Sequence, residues 1–375
     1  MRSAGILYDV PNVAYGTYGC TPFPMCLKAC ADYLGNPVTY TQTMAESGAA
    51  FRLTWNTEEW DGGNVDVIFA YDKPDKVYQN GLRSIGSDFK MLGRAPETKK
   101  EDFMAFIRKE VDKGNPVIAL GIIGPPEACI VAGYRDNGEE LLGWNFFQEY
   151  PEYQAKVKIE KNGYFSTRTW WENPDSCALF STGMDGVASF SEKEVLSNII
   201  EVMSGRICGP YAKGIYAYDA WKNALLCEQN FPPNAILPVL VERMMCHGDA
   251  MDCISDGRYH GAQYLRGMAA KFRESAEKIA VGESYEAAGG EKSGLEAASK
   301  LAQKLEAAAK ELDGESNVLC RKMVSALGGW GRSEAQVRKL AELRTRSLFA
   351  GQIDEMKGHE ERALVLLREA FELLE

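Results

Sequence analysis

Cys20 is the residue in this sequence whose type and setting point most directly to chemistry. It sits in Tyr18-Gly19-Cys20-Thr21-Pro22, ahead of a stretch in which Phe23, Cys26, Leu27, Cys30 and Leu34 recur at helical spacing. A thiol at a helix start meets unpaired backbone N–H groups and the positive end of the macrodipole, and both favour the nucleophilic thiolate. Cys26 and Cys30 fall on the apolar stripe and read as packing residues. The competing account of Cys20 is a small buried hydrophobe, the usual fate of a free cysteine. Tyr18, two residues earlier, is taken as a substrate contact.

The elements that must position this thiol follow from pattern. Pro22 and Pro24 suit a first helical turn and Gly35 a helix end. A second helix is predicted over 102–112, with Phe103, Phe106, Ile107 and Val111 inward. Pro116–Ile123 and Ala128–Tyr134 read as strands. Arg135-Asp136-Asn137-Gly138 reads as the turn into an antiparallel partner. From about residue 191 the pattern is helical, with helices predicted over 192–203, 212–227, 235–246, 257–280, 294–312, 318–326 and 334–374, the last broken near Gly351 or Gly358. The Gly- and Glu-rich stretch 282–294 reads as an exposed connection. The expected fold class is thus an α+β domain (1–185) followed by an all-α domain (186–375).

Composition narrows the function classes. A chain of 375 residues suits two domains, because single cores seldom grow past roughly 250–300 residues. A formal net charge of −11 opposes a nucleic-acid surface, which needs clustered Lys and Arg. No stretch approaches the ~20 apolar residues of a membrane helix, and the opening residues carry no secretory signal. A cytoplasmic location is expected, with the ten cysteines read as thiols. Cys246, His247, Cys253 and His260 are spaced too far along one helix, about 10 Å for seven residues, to share a metal. Neither a metal nor another cofactor is expected.

The segment GNPVIALGIIGPPEACIVAGYRDNGEELLGWNFF resembles the corresponding part of papain-like peptidases of the bacteriocin-leader type. With LGNPVTYTQTMAESGAAFRLTW (Leu34 to Trp55), PPEACIVAGY and GWNFFQ, it resembles more closely the N-terminal domain family named after butirosin biosynthesis protein H. The likeness covers about the first 180 residues. It implies a papain-like fold with acyl transfer or amide or thioester hydrolysis through Cys20, and an acyl carrier protein as a candidate partner. Carried over, the orienting amide falls on Asn145. The base histidine position falls on Glu127, and no histidine occurs in residues 1–180. The oxyanion-hole glutamine is missing, with Asn12 the nearest amide. A carboxylate with an ordinary pKa near ~4.3 is a poor base for a thiol near ~8.5. Three alternatives stand beside papain-type hydrolysis: a base from His247 or His260, exchange with an activated thioester, or a non-catalytic binding module in which Glu127 recognises a cationic ligand. Arg52 is read either as pairing with Glu127 to shape a pocket or as a surface or interdomain salt bridge. The expected partners are a small-molecule or peptide substrate, neither nucleic acid nor membrane, and a second copy through the helical domain.

Overall fold

The structure, a computed structural model, describes residues 2–184, 186–280 and 291–374. In chain order the first elements are β1 (Gly5–Ile6), α1 (Pro22–Tyr33), α2 (Tyr40–Ser47), β2 (Thr54–Asn56) and α3 (Asp75–Ser84). They continue as β3 (Met91–Gly93), α4 (Lys100–Asp112), β4 (Val117–Leu120), β5 (Ala128–Arg135), β6 (Glu140–Trp144), β7 (Lys158–Ile159), β8 (Phe165–Thr167) and β9 (Ala178–Ser181). The remainder comprises α5 (Glu192–Ser204), β10 (Ile207–Cys208), β11 (Tyr211–Lys213), α6 (Ile215–Leu226) and α7 (Leu237–Ala280). It closes with α8 (Glu291–Asn317), α9 (Val324–Leu327), α10 (Glu334–Ala341) and α11 (Leu343–Glu372).

The chain divides into two units, one of residues 1–43 and 78–190, the other of 44–77 and 191–375. This corrects a contiguous division at 185/186, because the segment from Met44 to Val77 packs with the C-terminal part.

The first unit is built on one antiparallel sheet in the order β3-β9-β4-β5-β6-β8-β7, with β1 paired to β5. Strand alternation gives it two covered faces. Val117, Ala119, Cys129, Val131 and Leu179 join Phe103, Ile107 and Val111 of α4 in one core. Their neighbours point the other way: Ile118 pairs with Phe180, and the Phe180 ring lies 6.1 Å from that of Phe23 in α1. Helix α1 is buried almost all round rather than along one stripe, and its Lys28 and Asp32 pair outward at 2.6 Å. It ends at Tyr33, before Leu34. The predicted strand to Ile123 stops at Leu120, because the Asn173 amide and the Ser176 hydroxyl both take the Gly121 carbonyl.

The second unit is mainly helical but not all-α. Strands β10, β11 and β2 form a small sheet in which Trp55 pairs with Ala212. Its core gathers Trp55, Trp60, Trp221, Phe231, Met244, Ile254, Leu319 and Phe349. The two helices predicted over 235–246 and 257–280 are one helix of 44 residues. Gly257 does not break it; a Cβ there would press on the Ala50 carbonyl, so the glycine serves close packing. Likewise α11 runs through Gly351 and Gly358, and the break falls earlier, at the extended Glu342. Residues 212 and 213, predicted to open a helix, belong to β11. Of the connection expected over 282–294, residues to 290 lie outside the described set and the rest begin α8. Among the described residues no helix is long and apolar enough to cross a membrane.

Candidate functional site

Cys20 is exposed, just ahead of Thr21, the N-cap residue of α1. The preceding loop is closed by Gly16 N–H to Gly19 O (2.9 Å) and Thr17 N–H to Ala14 O (3.1 Å). Thr21 N–H donates to the Tyr40 hydroxyl at 3.1 Å, and the Tyr18 and Tyr40 rings stack 6.4 Å apart. The Lys28 ammonium lies 5.0 Å from the centre of the Tyr18 ring, so Tyr18 is part of a rigid aromatic wall beside the thiol. On the other side of the loop Tyr15 meets Phe146 with ring centres 4.8 Å apart.

The helix start is poorer in donors than the spacing predicts. Pro22 and Pro24 carry no N–H, and Met25 N–H already bonds Thr21 O at 3.3 Å. Phe23 supplies the one first-turn amide that remains without a backbone partner among the described residues. The positive end of a helix is made of such orphan N–H groups, so two prolines weaken the field acting on Cys20. Deeper in α1 the contrast is sharp. Burial, then Cys30, Cys129 and Glu127, pushes the Cys26 thiol well up, and burial pushes Cys30 up against the Thr182 hydroxyl.

Glu127 is half-buried in a turn before β5, its N–H on Pro125 O (2.7 Å) and its carbonyl taking Gly121 N–H (3.1 Å). Its charge, after burial and the Cys30 and Cys129 thiols, helps to push the Cys26 thiol up. Asn145 goes elsewhere. Ile130 pairs with Trp144, so the next positions outward are Cys129 and Asn145, and the Asn145 amide bonds the Cys129 thiol. Burial pushes that thiol up to about 12 against this bond and two backbone bonds. Cys129 belongs to the α4 core, whereas α1 covers the opposite face. Asn145 also accepts Phe147 N–H at 2.8 Å. It shapes the end of the hairpin.

The other expected residues separate as well. Asn12 is exposed beside the buried Val13, two residues after Val10, whose carbonyl takes the Trp144 indole N–H at 2.8 Å. Arg52 is buried in the second unit, donating to Val65 O and Ala49 O, both at 2.7 Å. That structural role replaces the expected pairing with Glu127. The three histidines all belong to the second unit. His247 is sealed in its core: Trp221 N–H donates to Nδ1 at 3.1 Å, Phe349 stacks at 5.3 Å, and burial with the Arg332 charge lowers its pKa to about 3. A ring with so low a pKa is unprotonated at pH 7 but too weak a base to take a proton from a thiol. His260 sits on the same helix with Nε2 3.6 Å from Asp256 Oδ1. Among the described residues no group of three or more His, Cys, Asp or Glu is placed to hold a metal ion.

Sequence reasoning missed a buried polar cluster in the second unit. Arg258 of α7 bonds Glu360 of α11 through Nε (3.0 Å) and Nη2 (2.8 Å), and its Nη2 also reaches the Tyr218 hydroxyl at 3.1 Å. Tyr218 donates to Glu315 of α8, and Arg258 Nη1 reaches Ala50 O at 2.9 Å. All four side chains are fully buried. The signal was present: Glu315 falls between Leu312 and Leu319 on an apolar stripe where a carboxyl has no ordinary reason to be. Compared with family models and with curated proteins, the chain matches none.

Proposed function

We propose that the first unit is a papain-like domain, of the family named after butirosin biosynthesis protein H, in which Cys20 accepts an acyl group from an activated thioester and passes it to a second nucleophile. The observation that supports this most is the division of labour among the thiols around α1. Cys20 alone is exposed, while Cys26 and Cys30 are buried and held protonated. In the first step the Cys20 thiolate attacks the thioester carbonyl, a C–S bond forms, and the donor leaves as a thiolate that takes up a proton. In the second, an acceptor amine, hydroxyl or water attacks the new thioester and regenerates Cys20.

Thioester exchange suits a site without histidine. A leaving amine must be protonated by a positioned acid, whereas a thiolate leaves unaided. An ordinary cysteine is a few per cent thiolate at pH 7, enough for exchange between thiols of similar acidity. An acyl carrier protein is a fitting donor under this reading.

A second reading keeps the fold as a binding module without chemistry. The two prolines that strip donors from the α1 start, and an Asn145 already engaged by the Cys129 thiol and the Phe147 N–H, favour it. Single-turnover reaction with S-octanoyl-N-acetylcysteamine separates the two. Acyl transfer requires release of one equivalent of N-acetylcysteamine per protein, matched by one octanoyl group gained by the protein, and both disappear in Cys20→Ser; no release leaves the binding module.

A further inference from the structure

We propose that a cavity in the first unit, on the sheet face opposite α1, is a binding site for a small organic ammonium ion with an apolar body. The cavity measures about 540 Å³, within the range of sites that enclose drug-sized ligands. Its floor is apolar: Ile122 and Ile123 belong to the α4 core, and Val157 and Tyr153 pack against it. Because α1 covers the other face, this site is separate from Cys20 and stands whether or not Cys20 accepts acyl groups.

One wall is built in advance. The Asn173 amide donates to the carbonyls of Gly121 (2.5 Å) and Gly124 (2.8 Å), which ties the loop between β4 and β5 to the turn before β9. Arg94 fixes that turn from behind, donating to Asn173 O at 2.8 Å and Trp171 O at 3.1 Å. Gly124 has φ +75°, and a Cβ there would crowd Phe147 and Tyr153 at 3.2 Å, so the loop reaches the cavity edge only as glycine. A wall held this way loses little freedom when a ligand enters.

The charge on the lining sets the class of ligand. Glu172 and Asp175 both line the cavity, and among the described residues neither carboxylate meets a side-chain donor or a cation. Lys156 is the one cation of the lining. Two carboxylates against one ammonium leave a net negative site, which attracts a cation and repels a carboxylate ligand. The Tyr153 ring adds a face on which an ammonium group is stabilised. Apolar surface below and anionic groups beside an aromatic ring together fit an amine carried on an apolar body.

Titration calorimetry with 4-phenylbutylammonium and 4-phenylbutanoate tests this, in Cys20→Ala protein so that thiol chemistry plays no part. The ammonium probe is expected to bind saturably and the carboxylate probe not to bind. The E172Q/D175N double variant should weaken ammonium binding about tenfold, through loss of two charge-assisted contacts. Lys156→Gln should tighten it, and Ile123→Trp, which fills the cavity, should abolish it with the melting temperature retained. The proposal is overturned if neither probe binds, if both bind equally, or if the double variant binds as the parent does.

Discussion

At the scale of single residues, the second unit buries one guanidinium between two carboxyl groups, and electrostatics decides how they share protons. Glu360 meets Arg258 through two short bonds. Glu315 is pushed well above the usual carboxylate range, first by burial and then by the Glu360 charge, with Arg258 and Tyr218 opposing. Glu315 is therefore the carboxylic acid. Removing the counter-charge should cost far more than removing the acidic proton. Glu360→Gln is expected to lose about 3–5 kcal/mol, the range for breaking a buried ion pair. Glu315→Gln, which imitates the protonated form, should be near neutral in denaturant unfolding. The folded state holds the Glu315 proton where the unfolded chain releases it above pH ~4.3, so this stability is full in acid and falls as pH rises. Glu315→Gln should flatten that alkaline decline, and an unchanged slope would contradict the assignment. His247 works in the opposite sense. Its pKa of about 3 in the fold lies below the ordinary value near ~6.5, so its contribution is present above that value and is lost as pH falls toward 3. With Trp221 donating to Nδ1, the ring proton sits on Nε2, which is buried without a partner. His247→Phe should remove the acid-side decline in the same titration.

At the scale of elements, the helices and strands that flank the candidate thiol were legible because their apolar periodicity is strong. Helix α4, strands β4 and β5 and the turn into β6 all lie where alternation and turn residues place them. Their ends were less legible, since tertiary bonds set them: β4 stops where Asn173 and Ser176, more than fifty residues away, capture the Gly121 carbonyl. Glycine misled in the helical part, where Gly257 and Gly351 read as breaks but sit inside helices; at Gly257 the cause is a close backbone approach. The bond between Asn145 and Cys129 was not legible either, because pairing at the end of a strand depends on a register that only the folded hairpin reveals. Helix α1 offers a test at this scale. Pro24→Ala returns one N–H to the first turn, and the reaction of Cys20 with a chromogenic disulfide at pH 7 should speed up several-fold. An unchanged rate, with the melting temperature retained, would show that the helix start does not act on this thiol.

At the scale of the whole molecule, chain length suggests two units but cannot show that they interleave along the chain. The segment 44–77 supplies Trp55, stacked 6.0 Å from Trp221, and Trp60, edge-on to Phe231 at 5.6 Å. It also supplies the Ala50 and Arg52 carbonyls that receive Arg258. A fragment of residues 191–375 therefore lacks part of its own core and the acceptors of a buried guanidinium. It is expected to melt without a cooperative transition by circular dichroism, whereas the full chain melts cooperatively. A cooperative melt of the fragment would contradict this division of the chain. The proposed acyl transfer assigns its chemistry to Cys20, one of three exposed cysteines with Cys208 and Cys320. Peptide mapping by mass spectrometry, after the full-length protein meets an octanoyl thioester, tests the account most directly. The account predicts an octanoyl adduct on Cys20 well above those on Cys208 and Cys320; equal labelling of the three, or none on Cys20, would contradict it.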